Sequence, residues 1–456
     1  MIVMKFGGTS VESAAAIERV AGIVRARLER KPLVVVSAMG KTTNRLLAAA
    51  DKAAAGNLGD ALRDAEELLA YHRREAAALA PADKQAEAEA ALKQRFEELE
   101  STLERIAASG EVTPALWDET ASYGERLSSE LIALAFPAFG IPAAHVDARS
   151  VLVTDSRHTQ ALPLYSRTYA RFKEKVAPLL EKRVAVMGGF IGATAEGVTT
   201  TLGRGGSDFS AAIAGAGIGA EEIQIWTDVD GMLTCDPRVL PGGRRVRKIS
   251  FAEAAELAYF GAKVLHPATV QPAIEKSIPV RILNSRRPEV EGTVVVADTV
   301  PCRNPIKSIA CKRGITVVEI RSLRMLMAHG FLRRIFEVFD RYQTPVDLVT
   351  TSEVCVAVTI DQPRQIAEIE RELGRISDVR VLPDQAILCL VGDALRETAG
   401  IGARIFTALR EINVRMISHG ASFNNVSLVV RDEDVVPAVA ALHDEFFREV
   451  DPEVFE

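Results

Sequence analysis

Cysteine is scarce and dispersed. The five thiols (Cys235, Cys302, Cys311, Cys355, Cys389) form no CxxC pair and have no histidine set beside them. That pattern argues against structural zinc and for buried free thiols in a reducing cytosol. Positive charge is not in excess either: 55 Lys and Arg face 61 Asp and Glu, a net charge of −6, which argues against nucleic acid as the main partner. The uncharged run 131–146 carries Pro137 and Pro142 and makes a poor membrane span. The N-terminus opens on a strand, without the basic and apolar regions of a signal peptide, so a cytoplasmic location is expected. Two motifs are incomplete. Gly40-Lys41-Thr42 lacks the glycine a P-loop needs at position 35, where Val35 stands. Asp228, Asp230 and Asp236 lack EF-hand spacing and its terminal glutamate, so no dedicated metal cage is expected.

Glycine-rich loops at strand ends are what the chain does have. MIVMKFGGTS runs from an apolar strand (Ile2 to Phe6) into Gly7-Gly8-Thr9-Ser10, with Lys5 at the junction and a helix expected just after the loop. Strand, glycine turn and helix N-terminus make an anion cradle. TLGRGGSD (Thr201 to Asp208) follows the apolar run 184–191 and adds Arg204, Ser207 and Asp208. Next, TDVDGMLTCDPR follows the strand 223–226, and FGAKVLHP carries Lys263. Several anion loops and cations (Lys5, Arg204, Arg238, Lys263) within one domain length suit phosphoryl transfer, where catalysis is mostly positioning and charge neutralisation.

At 456 residues, 48% hydrophobic and 25% charged, the chain is long enough for two or three globular domains. Residues 1 to about 295 alternate strands and helices, which predicts a largely parallel α/β sheet. Residues 45–110, rich in Ala, Glu, Arg and Leu, predict one or more long helices. Beyond a boundary at Pro301 to Pro305, a strand-helix-strand-strand-helix pattern occurs twice. Both helices carry Arg-Ile-Phe, at Arg334-Ile335-Phe336 and Arg404-Ile405-Phe406. The second copy lacks a closing strand, which Lys307 to Lys312 can supply.

KFGGTS, GRGGSD, TDVDG and GAKVLHP, in this order, resemble aspartate kinases of the amino-acid-kinase superfamily, and the C-terminal repeat is similar to their paired ACT domains, particularly the lysine-inhibited monofunctional type. The resemblance implies a three-layer α/β/α catalytic domain (1–298) followed by two ferredoxin-like βαββαβ ACT domains. The first (313–383) would be inserted in the second (306–312 with 384–456). It implies transfer of the ATP γ-phosphate to the side chain of L-aspartate with Mg²⁺, feedback by an amino acid, lysine in the closest type, and a homodimer through the ACT domains, compatible with a tetramer.

The reacting group needs little activation. An ordinary Asp side chain ionises near ~3.9, so it can attack phosphorus without a general base. Repulsion between two anions is the obstacle, and Lys5 is the best candidate to screen it. Arg204 can fork onto the α-carboxylate, and Glu125, in SYGERLSSE at an expected helix start, can take the α-ammonium. Thr43 and Asn44 can line the same pocket. By resemblance Thr43, Glu125, Phe190, Arg204 and Ser207 match substrate positions, and Lys5, Ser37 and Asp208 match positions around the phosphate. Gly7, Gly8 and Thr9 belong to the nucleotide loop, and Thr227, Asp228, Arg238 and Lys263 match nucleotide positions, while Leu233 replaces a tyrosine that relatives can carry near adenine. In the implied effector site stand Met325, Gly330, Phe331, Leu332, Val346, Asp347, Thr351, Ser352 and Glu353, with Ala328 where relatives can carry serine. Two alternatives remain at this stage. Another amino-acid kinase should lack the repeat, and a non-catalytic amino-acid sensor would be free to lose Lys5, Arg204 or Asp208.

Overall fold

The computed structural model describes residues 1–260, 265, 267–298, 300–325, 329–361 and 364–456. Lys263 and Ala328 lie outside them. Two compact units are formed, Met1–Gly231 with Leu265–Ala297, and Met232–Val264 with Asp298–Glu456.

In the first unit, parallel strands run in the order Ala143–Val146, Val184–Gly188, Pro32–Val36, Ile2–Phe6, Glu222–Thr227 and Val280–Asn284, with Thr293–Val296 antiparallel beside the last. Ile2–Phe6 and Pro32–Val36 are almost wholly buried, as expected for continuous apolar runs covered on both faces by helices. The chain moves to one side of Ile2–Phe6 through Pro32–Val36 and to the other through Glu222–Thr227. The carboxyl ends of these strands therefore flank a topological switch point, where α/β sheets bind ligands.

The helical stretch resolves into Thr42–Ala54, Leu58–Leu79 and Gln85–Ser109, followed by Pro114–Ala135. Gly110 ends the third in the left-handed conformation at φ 71°. Thr113 caps the fourth by accepting from the Leu116 N–H, and Pro114 fills its first position. Two expectations are corrected here. Glu125 sits in the middle of Pro114–Ala135, because the Thr113-Pro114 cap starts that helix well upstream. The first helix is Ala14–Arg25, separated from the glycine loop by a 3₁₀ turn at Gly8–Ser10. Two of its N-terminal donors are already used, by Ser13 Oγ for the Ala16 N–H and by Glu75 Oε2 for the Ala14 N–H, which weakens it as an anion cradle.

The second unit carries an antiparallel sheet in the order Val349–Thr351, Cys355–Ile360, Ser308–Arg321, Asp378–Val391, Asn425–Arg431, Met416–His419. Its two central strands are 14 residues each and pair along their length, with register shifts between Lys312 and Val317. Ser308–Lys312 thus pairs with Ile387–Val391, while Thr316-side residues pair toward Asp378. The repeated Arg-Ile-Phe lies in the helices Phe331–Arg341 and Ile401–Ala408, where Ile335 and Ile405 are fully buried. Each helix follows a left-handed glycine, Gly330 at φ 74° and Gly400 at φ 77°. All five cysteines are free; Cys235 and Cys389 are buried and the other three half-buried. Among the described residues no helix is long and apolar enough to cross a membrane.

Candidate functional site

At the carboxyl ends of the first unit's strands lies a cavity of about 310 Å³, lined by Lys5, Ser37, Thr43, Glu125, Phe190, Gly203, Gly205, Gly206, Ser207 and Asp208. Residues spread over two hundred positions meet there because the parallel register sets Lys5 beside Val35 and Ile225, so neighbouring loops open on one side. Close backbone approach closes the walls. A Cβ on Gly188 would fall 2.9 Å from Glu125 Cβ, and one on Gly189 would fall 2.7 Å from Ser207 Cβ. Glycine is required at both positions, a signal carried by the Gly188-Gly189 pair but read from the sequence only as part of an apolar run.

Lys5 Nζ lies 2.7 Å from Asp208 Oδ1, both side chains being mostly buried. Asp208 stands in the first turn of the helix Gly206–Ile218, where the backbone dipole favours a carboxylate. Ser37 Oγ donates to Ser207 Oγ at 3.1 Å. The Ala38 N–H donates to Glu125 Oε1 at 3.1 Å, whereas Oε2 of this buried residue has no hydrogen-bond partner. Burial pushes the Glu125 carboxyl up from its ordinary 4.5 to about 8, against the pull of the Ala38 N–H. Phe190 adopts φ 64°, unusual for a bulky residue, and is held there by its N–H donating to Ser210 Oγ at 2.9 Å. The cavity therefore offers a cation, an ionised partner that orients it, a carboxyl group with a free oxygen, hydroxyls and a helix N-terminus. That set suits a small zwitterion presented to a phosphate.

Other expected residues fall outside the lining. Arg204 sits between the lining Gly203 and Gly205 with its side chain exposed, at the rim. Asn44 is exposed, and Ser10 is spent on a buried 2.8 Å contact with Ser285 Oγ. A Cβ on Gly7 would lie 3.8 Å from Lys5 Nζ, so the first loop backs directly on that cation; Gly8 is half-buried and Thr9 exposed. The Thr227 hydroxyl donates to Asp228 Oδ1 at 3.2 Å, one residue beyond the Trp226 carbonyl that accepts from the Gly7 N–H. Leu233 and Arg238 belong to the second unit, where Arg238 is exposed and paired with Asp236 at 2.7 Å.

Within the second unit, Asp347 is already engaged. Lys312 Nζ reaches its two oxygens at 2.9 and 3.0 Å and Asp361 at 3.1 Å, and the Tyr259 hydroxyl donates to Asp347 at 3.3 Å. Met325 and Val346 are half-buried and Phe331 is buried, while Leu332, Thr351, Ser352 and Glu353 are exposed. Among the described residues no group of three His, Cys, Asp or Glu is placed to hold a metal.

Residues 1–284 match the amino acid kinase family, and residues 388–446 match an ACT domain. A chloroplastic aspartokinase 3 of Arabidopsis thaliana is 38% identical, over 98% of this chain and 81% of its own length. The lysine-sensitive aspartokinase 3 of Escherichia coli is 36% identical, over 98% and 99%. Two crystal structures of the Escherichia coli enzyme, aspartokinase III, superpose at 35% identity. The complex with lysine and aspartate gives a TM-score of 0.86 over 98% of this chain and 99% of that one; the complex with aspartate and ADP gives 0.79 over 98% and 100%.

Proposed function

Because the chain belongs to the aspartokinase family and is an ATP-dependent kinase of aspartate, we propose that it makes 4-phospho-L-aspartate in the first unit's cavity under feedback by lysine at Asp347. The observation that carries the catalytic half is one cavity holding both the Lys5–Asp208 pair and the partnerless Glu125 Oε2. A side-chain carboxylate oxygen of aspartate attacks the γ-phosphorus, the bond from phosphorus to the bridging oxygen breaks, and ADP leaves with the electron pair. No proton moves. Lys5, steered by Asp208, neutralises charge on the transferring group. Glu125 Oε2 takes the substrate ammonium, Arg204 swings from the rim onto the α-carboxylate, and Ser37, Thr43 and Ser207 donate hydroxyls. Mg²⁺ would supply further charge neutralisation, and Asp208 would offer it a carboxylate oxygen beside those of the nucleotide phosphates. Gly7, Gly8, Thr9, Thr227 and Asp228 serve the nucleotide.

The regulatory half rests on Asp347, a carboxylate that already holds one ammonium, that of Lys312, and on a relative whose name calls it lysine-sensitive. We place the catalytic domain at 1–298, one ACT domain at 313–383 and the other at 306–312 with 384–456, in a cytoplasmic homodimer. The test is ATP turnover with L-aspartate, trapping the acyl phosphate with hydroxylamine, with and without lysine. A hydroxamate whose formation lysine suppresses supports both halves. Turnover indifferent to lysine refutes the regulatory half, and ADP without a hydroxamate refutes the product.

A further inference from the structure

Behind the cavity stands a buried carboxylate that no step above uses. Asp118 is fully buried on the same helix as Glu125, seven residues upstream and so on the same face. Its two oxygens collect three donors from two other segments. His158 Nδ1 lies 2.7 Å from Oδ2, the Thr159 N–H lies 3.0 Å from both oxygens, and the Thr201 hydroxyl lies 2.5 Å from Oδ1. A carboxylate only accepts, so His158 carries its proton on Nδ1.

Two of the donors lead back to the cavity wall. Thr159 is held at φ 69°, and its carbonyl would lie 3.1 Å from a Cβ on the lining Gly203, itself at φ 76°. From Thr201 the chain passes to Leu202, whose N–H donates to the carbonyl of the lining Phe190 at 2.9 Å. Trp117, next to Asp118, meets the Phe190 ring edge-on with centroids 6.5 Å apart. A left-handed threonine and a left-handed phenylalanine both cost conformational energy, and such strain persists only where surrounding bonds over-determine it.

We propose that Asp118 is a positioning residue for aspartate recognition, fixing the Gly203–Gly205 rim that carries Arg204 against the helix that carries Glu125. The proposal rests on the cavity reading given above. Asp118 touches no substrate. It sets the distance between the two groups that grip the amino acid's charged ends, and not the phosphate-binding loop at Gly7–Thr9.

The test is steady-state ADP release from the full chain, with aspartate and ATP varied separately. Asp118→Asn puts an amide where three donors converge and should raise the KM for aspartate about tenfold, since small misplacements of binding groups carry penalties of this order. The KM for ATP should stay within about twofold. Thr201→Val removes a single donor; it should shift the aspartate KM the same way by a smaller factor, and it decides the matter if Asp118→Asn does not fold. An unchanged aspartate KM, or equal rises for both substrates, overturns the proposal, as does a lower kcat that only tracks the folded fraction. Glu125→Gln is the control. If it too leaves the aspartate KM untouched, the cavity reading itself has failed, whereas a large Glu125 effect beside a silent Asp118 and Thr201 refutes this inference alone.

Discussion

Glu125 makes the binding of aspartate a proton-linked event. With its carboxyl raised to about 8 by burial, roughly nine-tenths of the empty cavities are protonated there at pH 7. An ammonium against Oε2 favours the ionised form, so binding at pH 7 should release close to one proton, roughly 0.9, from this residue. Ionising it first costs about 1.4 kcal/mol at pH 7, and that cost fades as pH rises. The KM for aspartate should therefore fall roughly eightfold from pH 7 to 8.5, where the substrate ammonium is still charged. Glu125→Gln should abolish the slope and raise KM, by about tenfold at pH 7 and more at 8.5, because a charged hydrogen bond worth about 2–3 kcal/mol is lost. Calorimetric titration of aspartate in two buffers of different ionisation heat counts the protons directly. Stability gives a second readout. Between pH 4.5 and about 8 the unfolded chain loses this proton while the fold keeps it, so the Glu125 contribution falls as pH rises, by at most about 5 kcal/mol, and levels off above 8. Glu125→Gln should remove that loss. No proton release together with a pH-independent KM in the unaltered chain would refute the reasoning.

Lys5→Ala should lower kcat at least about a hundredfold, the order expected for one preorganised electrostatic contact of about 3 kcal/mol; a drop under tenfold in the folded variant would take Lys5 out of the transition state. Lys307 and Glu253 form a fully buried ion pair in the second unit, at 2.8 Å, with the Val300 carbonyl also accepting from the lysine. Lys307→Met strands the carboxylate and should destabilise by about 3–5 kcal/mol in denaturant unfolding, and adding Glu253→Gln should recover a good part; equal losses in single and double variants would argue against the pair. Lys312 holds Asp347 with its own ammonium, so an effector ammonium must displace it. Lys312→Met should lower the lysine concentration for half-inhibition several-fold in the turnover assay, and an increase instead would show that Lys312 supports effector binding.

Most of the fold was legible because it rests on local signals. Continuous apolar runs marked the parallel strands, Ala- and Glu-rich stretches marked the long helices, and the repeated Arg-Ile-Phe marked a duplicated unit whose isoleucine is buried in both copies. The site was legible as a set of loops, since glycine pairs at strand ends are a local requirement. Its geometry was less so. Glu125, within SYGERLSSE, was expected at a helix start, but Thr113 and Pro114 cap that helix well upstream of it. The helix after the first loop was expected as an anion site, yet Glu75, sixty-one residues away, has taken one of its donors.

Residue order therefore specified which chemical groups are available and which strand ends present them, because propensity, periodicity and turn chemistry act over a few neighbours. Charge state and partnership came only with tertiary packing. Burial raised the Glu125 carboxyl, a fold-wide register set Lys5 against Asp208, and the long central strands of the second unit carried Lys312 to Asp347. These depend on the distance between groups far apart in the chain and on the water excluded between them, and no local pattern encodes either quantity.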